Sequence, residues 1–231
     1  MCAICPTNNE IWIFETGGSP DIAKWTKIKV LKEFFAVVSS LEWHPVTNLL
    51  LSCSTDRGVI VWSQGTGAQK HDFTPQVGMV KEMKSNLDCN WNHRGDKFCI
   101  GSGSGNVYLG TFFAESNFWV AHPVKKKALH KSSVVCVRFD PLSGRVIASA
   151  SLDGTVQITS CYKEELDTDS AGPFGQVTSN GETLLSVSSN GWINHLAFSP
   201  SSATLCYLTH DCELNFADLG DVAKTAGKSK V

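Results

Sequence analysis

The sequence predicts an all-β protein built as a β-propeller, or as an incomplete part of one, from small sheets stacked face to face. Three observations carry that prediction. Residues 52–62, SCSTDRGVIVW, and 149–159, SASLDGTVQIT, repeat one pattern 97 residues apart. An aromatic residue closes an apolar run at Trp43, Trp91, Phe139 and Phe198, in LEWHP, CNWNH, VRFDP and LAFSP, at spacings of 48, 48 and 59 residues. Repeats of that size are the mark of solenoids and propellers. Finally, runs such as VVCVRF and GVIVW do not alternate apolar with polar residues, so both faces of these strands are buried, as in the inner strands of stacked sheets.

Each unit reads as three strands and their turns. The first strand ends at the aromatic mark, and the proline that usually follows removes a backbone donor and stops it. A second run rich in Leu, Ile, Ser and Cys leads to a hairpin, and a β-branched run leaves it. The hairpin slot holds Asn8 in CPTNNEIWIF, Asp56 in CSTDRGVIVW, Ser104 in GSGSGNVYLG, Asp153 in ASLDGTVQIT and Asp211 in LTHDCELNFA. An aspartate there bonds its own backbone, while Gly154 of LDGT and Asn9, the second asparagine of TNNE, tolerate the positive φ that a tight hairpin needs. This gives one half unit and four fuller ones, about four and a half blades. Residues 1–219 are assigned to blades, and 220–231, GDVAKTAGKSKV, to a polar flexible tail.

Composition narrows the function. The 231 residues are 42% hydrophobic and 18% charged, enough apolar material for a sizeable core and too much for a disordered chain. A net charge of −2 gives the whole molecule no pull toward nucleic acid or an anionic membrane. No apolar run is long enough to span a bilayer, and the start, MCAICPTNNE, lacks the basic and apolar regions of a signal peptide. The nine cysteines are therefore expected to be reduced thiols in the cytoplasm.

The reactive-looking motifs have simpler explanations. Cys2 and Cys5 have the spacing of half a zinc site, but no second such pair completes four ligands. GSGSG at 101–105 sits in the hairpin slot and runs into a strand, whereas a phosphate-cradling loop feeds a helix. His195 and His210 have no nucleophile and orienting group set out around them. No catalytic, cofactor-binding or metal-binding residue is assigned, and the chain is not expected to be an enzyme or to homo-oligomerise.

LLLSCSTDRGVIVW and VVCVRFDPLSGRVIASASLDGTVQI resemble WD-repeat units. The resemblance implies a buried hydrogen-bond network, matched by His130, Ser149 and Asp153 in one unit, where Thr159 replaces the closing Trp. Another unit keeps Trp62 but has Glu33 in place of His, and a third has Ser104 for Asp and Gly110 for Trp. Further stretches, AICPTNNEIWIFE, FCIGSGSGNVYLGTF, NFWVAHPVKK and SSNGWINHLAFS, resemble in order and spacing the propeller subunit, subunit one, of the actin-related protein two/three complex. That resemblance implies a scaffold without catalysis, which holds the two actin-related proteins and helps meet the mother actin filament, in the cytoplasm and actin cytoskeleton.

Members of that family have seven blades, and the segment they turn toward the filament has no counterpart here. The count fits a piece of a longer chain, an incorrect gene model, a shortened paralogue or a smaller closed ring. An open arc exposes the apolar face of its last blade. The densest basic run, HPVKKKALHK, places Lys125, Lys126 and Lys127 near Phe118 and Trp119. Trp119 and the three lysines form the candidate patch for an acidic partner surface, set against a solvated loop. The acidic, Gly-containing insertion at 163–183 accounts for the 59-residue spacing and is a second place for contacts. Two other readings stay open: a WD-repeat adaptor in another assembly, such as a coat or signalling complex, and a metal- or histidine-dependent enzyme.

Overall fold

The computed structural model describes residues 1–77, 84–113, 115, 118–167, 174 and 179–220. They form five antiparallel sheets in chain order. The first contains β1 (Cys2–Ile4), β2 (Ile11–Glu15) and β3 (Thr26–Leu31). The second contains β4 (Val38–Trp43), β5 (Leu49–Ser54), β6 (Val59–Gln64) and β7 (Phe73–Val77). The third contains β8 (Asn86–Trp91), β9 (Lys97–Ser102), β10 (Val107–Phe113) and β11 (Phe118–Pro123). The fourth contains β12 (Val134–Phe139), β13 (Val146–Ser151), β14 (Thr155–Ser160) and β15 (Thr183–Ser188), and the fifth β16 (Ile193–Phe198), β17 (Thr204–Thr209) and β18 (Leu214–Asp218).

Every sheet is a meander in which sequential strands are neighbours. The aromatic marks end β4, β8, β12 and β16 as the sequence predicts. The fourth strand of the three middle sheets goes beyond the three-strand reading: β7 and β11 hide their pattern behind Pro75 and Pro123, and β15 is set apart from its sheet-mates in sequence by the insertion. Proline is tolerated there because the outer strand needs no bond on its free edge.

The second strands show why the apolar runs do not alternate. On β5, Leu50 faces a cluster with Ile11, Ile13 and Trp62, while its neighbour Leu51 faces Val61, Trp91 and Phe98. On β13, Ile147 joins Val137 and Phe139, while Ala148 joins Leu196 and Leu205. Each such strand is thus sandwiched between two sheets, and a fully buried Leu or Ile contributes about 1.5–3 kcal/mol. Among the described residues no sheet packs on the outer face of the fifth, where Leu214 and Phe216 are 59% and 68% exposed. This is the open blade expected of an incomplete propeller.

Turn chemistry follows the prediction with one displacement. Gly154 has φ 79°, and the equivalent position is taken by Arg57 (φ 79°), Gly105 (φ 81°) and Cys212 (φ 65°). In the first hairpin the positive φ falls on Thr7 (31°) and not on Asn9. Asn9 instead donates to the Phe34 carbonyl at 2.9 Å, and the Asn8 side chain accepts from the Glu10 N–H. Residues 221–231 of the proposed tail, and 168–173 and 175–178 of the insertion, lie outside the described residues.

Candidate functional site

Alternating strand directions sort the connections onto two rims. The upper rim collects the loops that lead into β4, β8, β12 and β16, together with the hairpin turns β1–β2, β5–β6, β9–β10, β13–β14 and β17–β18. The lower rim collects the remaining turns, with those after Trp43, Trp91, Phe139 and Phe198 among them.

The hairpin aspartates stitch the upper rim. Asp56 accepts from the N–H groups of Phe35 (2.6 Å), Ala36 (3.3 Å) and Gly58 (2.7 Å), tying its turn to the loop before β4. Asp153 does the same with Lys131 (2.7 Å) and Thr155 (2.9 Å). Burial pushes the Asp153 carboxyl up, but bonds from Thr155 and Lys131 outweigh it and hold the group below its usual range. Asp211 accepts from the Thr209 hydroxyl and, among the described residues, makes no bond to the loop before β16. These aspartates are thereby committed to the fold.

The expected network is divided between two sheets. In the second, the Trp62 indole N–H donates to Ser52 Oγ at 2.8 Å. In the fourth, His130 Nε2 meets Ser149 Oγ at 2.7 Å, its Nδ1 meets Thr155 Oγ1 at 2.8 Å, and Thr155 Oγ1 donates to Asp153 at 2.6 Å. Burial lowers the His130 pKa and keeps the ring neutral, with Asp153 opposing. Thr159, in the place of Trp62, is buried with no partner for its hydroxyl among the described residues. In the third sheet Gly110 leaves the tryptophan's space to Phe98, whose ring lies 2.1 Å from where a Cβ would stand.

The candidate patch is pulled apart. Trp119, expected on it, is 2% exposed. Its ring packs against Trp91, Phe98 and Phe112 at centroid distances of 5.2–5.3 Å, and its N–H donates to Gln76. It lies at the lower end of β11, whereas the lysines follow the upper end; four residues of extended chain separate Trp119 from Pro123, about 13 Å. Lys125 is half-buried and donates to Thr183 Oγ1 at 2.6 Å, which leaves Lys126 and Lys127 exposed. Arg57, Lys84 and Lys131 are also exposed on the upper rim of the middle sheets, so that its exposed cations outnumber Glu33, an exposed carboxylate of the loop before β4.

Two polar constellations had weaker signals in the sequence. The first lines the axis and links consecutive first strands. Ser40 donates to Asp88 at 2.9 Å, and Asp88 accepts from the Val137 N–H (2.9 Å) and Arg138 (2.5 Å). Glu42 accepts from the Asn90 side chain (2.8 Å) and from the Trp91 N–H, and Asn90 in turn accepts from the Phe139 N–H (2.8 Å). The same 48-residue step relates these positions, so polar residues one and three places before the first two aromatic marks, Trp43 and Trp91, were the available clue. A cavity of about 380 Å³ opens beside this ladder, lined by Glu42, Asn90, Arg138 and Phe139 among others.

Burial pushes the Glu42 carboxyl up to about 7, with the Trp91 N–H and Arg138 opposing and Asp88 reinforcing it. Between about pH 4.5 and 7 the folded chain therefore holds a proton that the unfolded chain releases, and stability falls as pH rises through that window. The full effect is about 3 kcal/mol. Replacing Glu42→Gln, which mimics the protonated acid, is expected to raise stability at pH 8 and leave it nearly unchanged at pH 4.5. Urea melts of both proteins across that range check this; parallel pH profiles would refute it.

The second constellation is a buried ion pair. Lys97 Nζ lies 2.5 Å from Asp167, both side chains fully buried, and Arg94 reaches Asp167 at 2.6 Å. Lys97 also donates to the carbonyls of Gly144 and Cys161. The start of the insertion is thus pinned to the third sheet, and Phe174 further along it is buried against Phe198 between the fourth and fifth sheets. Among the described residues, no three or more His, Cys, Asp or Glu side chains gather as metal ligands.

Stacked antiparallel sheets with aspartate-stitched hairpins and a divided Trp–Ser and His–Ser–Asp network make the fold that of an incomplete WD-repeat propeller, with five sheets among the described residues. Residues 25–63 and 122–160 match the family described as WD domain, G-beta repeat. The first match runs from β3 through β6, so a sequence repeat begins on the outer strand of one sheet and ends on the third strand of the next. The chain is similar to the Actin-related protein 2/3 complex subunit 1A-B of Xenopus laevis, 29% identical over 220 residues, which cover 94% of this chain and 56% of the relative. Similarity to subunit 1A of Arabidopsis thaliana has the same identity and coverage. Subunit 1 of Schizosaccharomyces pombe is 23% identical over 213 residues, 90% of this chain and 53% of the relative. The chain thus spans a little over half the length of the curated relatives it matches.

Proposed function

We propose that the chain works as a non-catalytic scaffold in an actin-related protein 2/3 complex, supporting nucleation of branched actin filaments in the cytoplasm. The observation that carries this reading is the extent of the similarity. It covers 94% of the chain and includes loops and outer strands that the two WD matches leave out. The other subunits of the complex are the partners, and the actin filament is a further one. Rigid sheets suit this task, because they hold loops of two rims at fixed separations for several partners at once. The polar groups of the upper rim support the same reading: its aspartates are spent on backbone bonds, leaving its exposed cations to meet acidic neighbours. Such charges set association rate and orientation more than final affinity.

The test is affinity purification of the tagged chain from its own cells, followed by mass spectrometry. Recovery of both actin-related proteins is expected. Replacing Lys126→Glu and Lys127→Glu together is expected to reduce that recovery about tenfold or more while leaving the melting temperature unchanged; Lys125 is left intact because it anchors Thr183. Purification without either actin-related protein would overturn the reading in favour of a WD-repeat adaptor in another assembly.

A further inference from the structure

Four first strands end around one cavity. Glu42 of β4, Asn90 and Trp91 of β8, Arg138 and Phe139 of β12 and Phe198 of β16 line it, together with the turns that follow the first three strands. It therefore opens on the lower rim, at the mouth of the axis. Its volume is about 380 Å³, within the range of small ligand sites. Pro45, Pro141, Trp91, Phe139 and Phe198 make much of the wall apolar, and ligand sites combine such walls with a few placed polar groups.

Most of the titratable groups in the lining are already engaged. Arg138 Nη1 meets Asp88 at 2.5 Å and the Val137 carbonyl at 2.5 Å. Asp140 is buried and accepts from the Ser143 N–H and hydroxyl and from the N–H groups of Arg145 and Val146. His44 has both ring nitrogens occupied, Nδ1 by the Val46 and Thr47 N–H groups and Nε2 by the His93 carbonyl. Burial, with Arg94, lowers the His93 pKa, so that ring adds no charge. Glu42 is the exception. It makes no ion pair among the described residues, and each of its oxygens accepts one bond, from the Asn90 side chain at Oε1 and from the Trp91 N–H at Oε2. An ionised carboxylate has about four acceptor sites, so each oxygen keeps room for another donor.

We infer that the lower mouth of the axis receives an arginine side chain of a protein partner, its guanidinium forked onto the two oxygens of Glu42 and its plane against the aromatic wall. The planar fork brings two parallel N–H donors to one carboxylate, which the point charge of a lysine does not. A guanidinium also stacks on aromatic faces, and Phe139 and Phe198 supply them here. The charge balance favours the same occupant: Arg138 is held by Asp88, so a bound guanidinium is the counter-charge that Glu42 lacks. This contact lies on the rim opposite the exposed lysines and does not depend on which assembly the chain enters.

The experiment titrates the full chain at pH 8, above the range in which Glu42 takes up its proton, against fluorescent nonapeptides of glycine and serine that carry one central arginine, citrulline or lysine, followed by anisotropy. The arginine peptide is expected to bind at least tenfold more tightly than the citrulline peptide, which keeps the shape without the charge, and more tightly than the lysine peptide. Glu42→Gln is expected to weaken arginine binding about tenfold or more, with urea melts confirming that the variant is folded. Glu33→Gln, at an exposed carboxylate of the upper rim, is expected to leave binding unchanged. Absence of binding at millimolar peptide, citrulline or lysine binding as tight as arginine, retention in Glu42→Gln, or equal loss in Glu33→Gln would overturn the inference.

Discussion

Replacing Asp167→Ala is expected to destabilise the chain by about 3–5 kcal/mol, the cost of removing one partner from a buried ion pair. The carboxylate is the counter-charge for Lys97 at 2.5 Å and Arg94 at 2.6 Å, and it accepts from the Lys163 N–H at 2.7 Å. Without it, the Lys97 ammonium stays enclosed with only the carbonyls of Gly144 and Cys161, at 3.3 and 3.4 Å, to replace water. Those neutral acceptors do not balance a full charge in a site from which solvent is excluded. Lys97→Met in the same chain removes the stranded charge, so the double variant is expected to recover a substantial part of the loss. Urea melts of the single and double variants measure both effects. A single-variant loss below about 1 kcal/mol, or a double variant no better than the single, would show that the site admits water and that the pair does not hold the insertion.

That pair also marks a limit of the sequence. Lys97 opens KFCIGS, a strand whose other residues announce burial, and Asp167 lies in KEELDTD, a run that reads as solvated. Nothing in the spacing joins two residues 70 positions apart when one belongs to an insertion without a repeat mate. The first strands and hairpins were legible for the opposite reason. Proline after an aromatic mark, aspartate before a left-handed turn residue and unbroken apolar runs each have one cheap structural solution, and they recur.

The outer strands were hidden because an edge tolerates proline and polar residues and so leaves a faint pattern. Trp119 was misplaced because an aromatic close to lysines in sequence suggests one patch, whereas an extended strand carries the two to opposite rims. The hairpin aspartates and the divided network stand where the repeat puts them, yet their hydrogen bonds are internal. The surface proposed for partner contact therefore lies in what the repeat does not explain, the exposed lysines of the upper rim.

Asp88→Ala is expected to cost about 2–4 kcal/mol, because one side chain there serves three sheets. It receives Ser40 from the second sheet and the Val137 N–H and Arg138 from the fourth, while standing on the first strand of the third. Alanine would leave the Arg138 guanidinium half-buried without its carboxylate and the Val137 N–H without an acceptor. Asp88→Asn keeps an acceptor for Val137 but gives up the charge, and is expected to fall between wild type and alanine. Coupling distinguishes a ladder from separate bonds: Ser40→Ala combined with Asp88→Ala is expected to cost less than the two single losses added, since both remove one contact. Additive losses, or an alanine variant within about 0.5 kcal/mol of wild type, would mean that apolar packing alone holds the sheets in register. If the ladder carries the coupling, the alanine variant also admits protease at the connections between the second, third and fourth sheets while leaving the turn of the fifth, Thr209 to Asp211, as resistant as before. The axis would then be what keeps the loops of the upper and lower rims at a fixed separation.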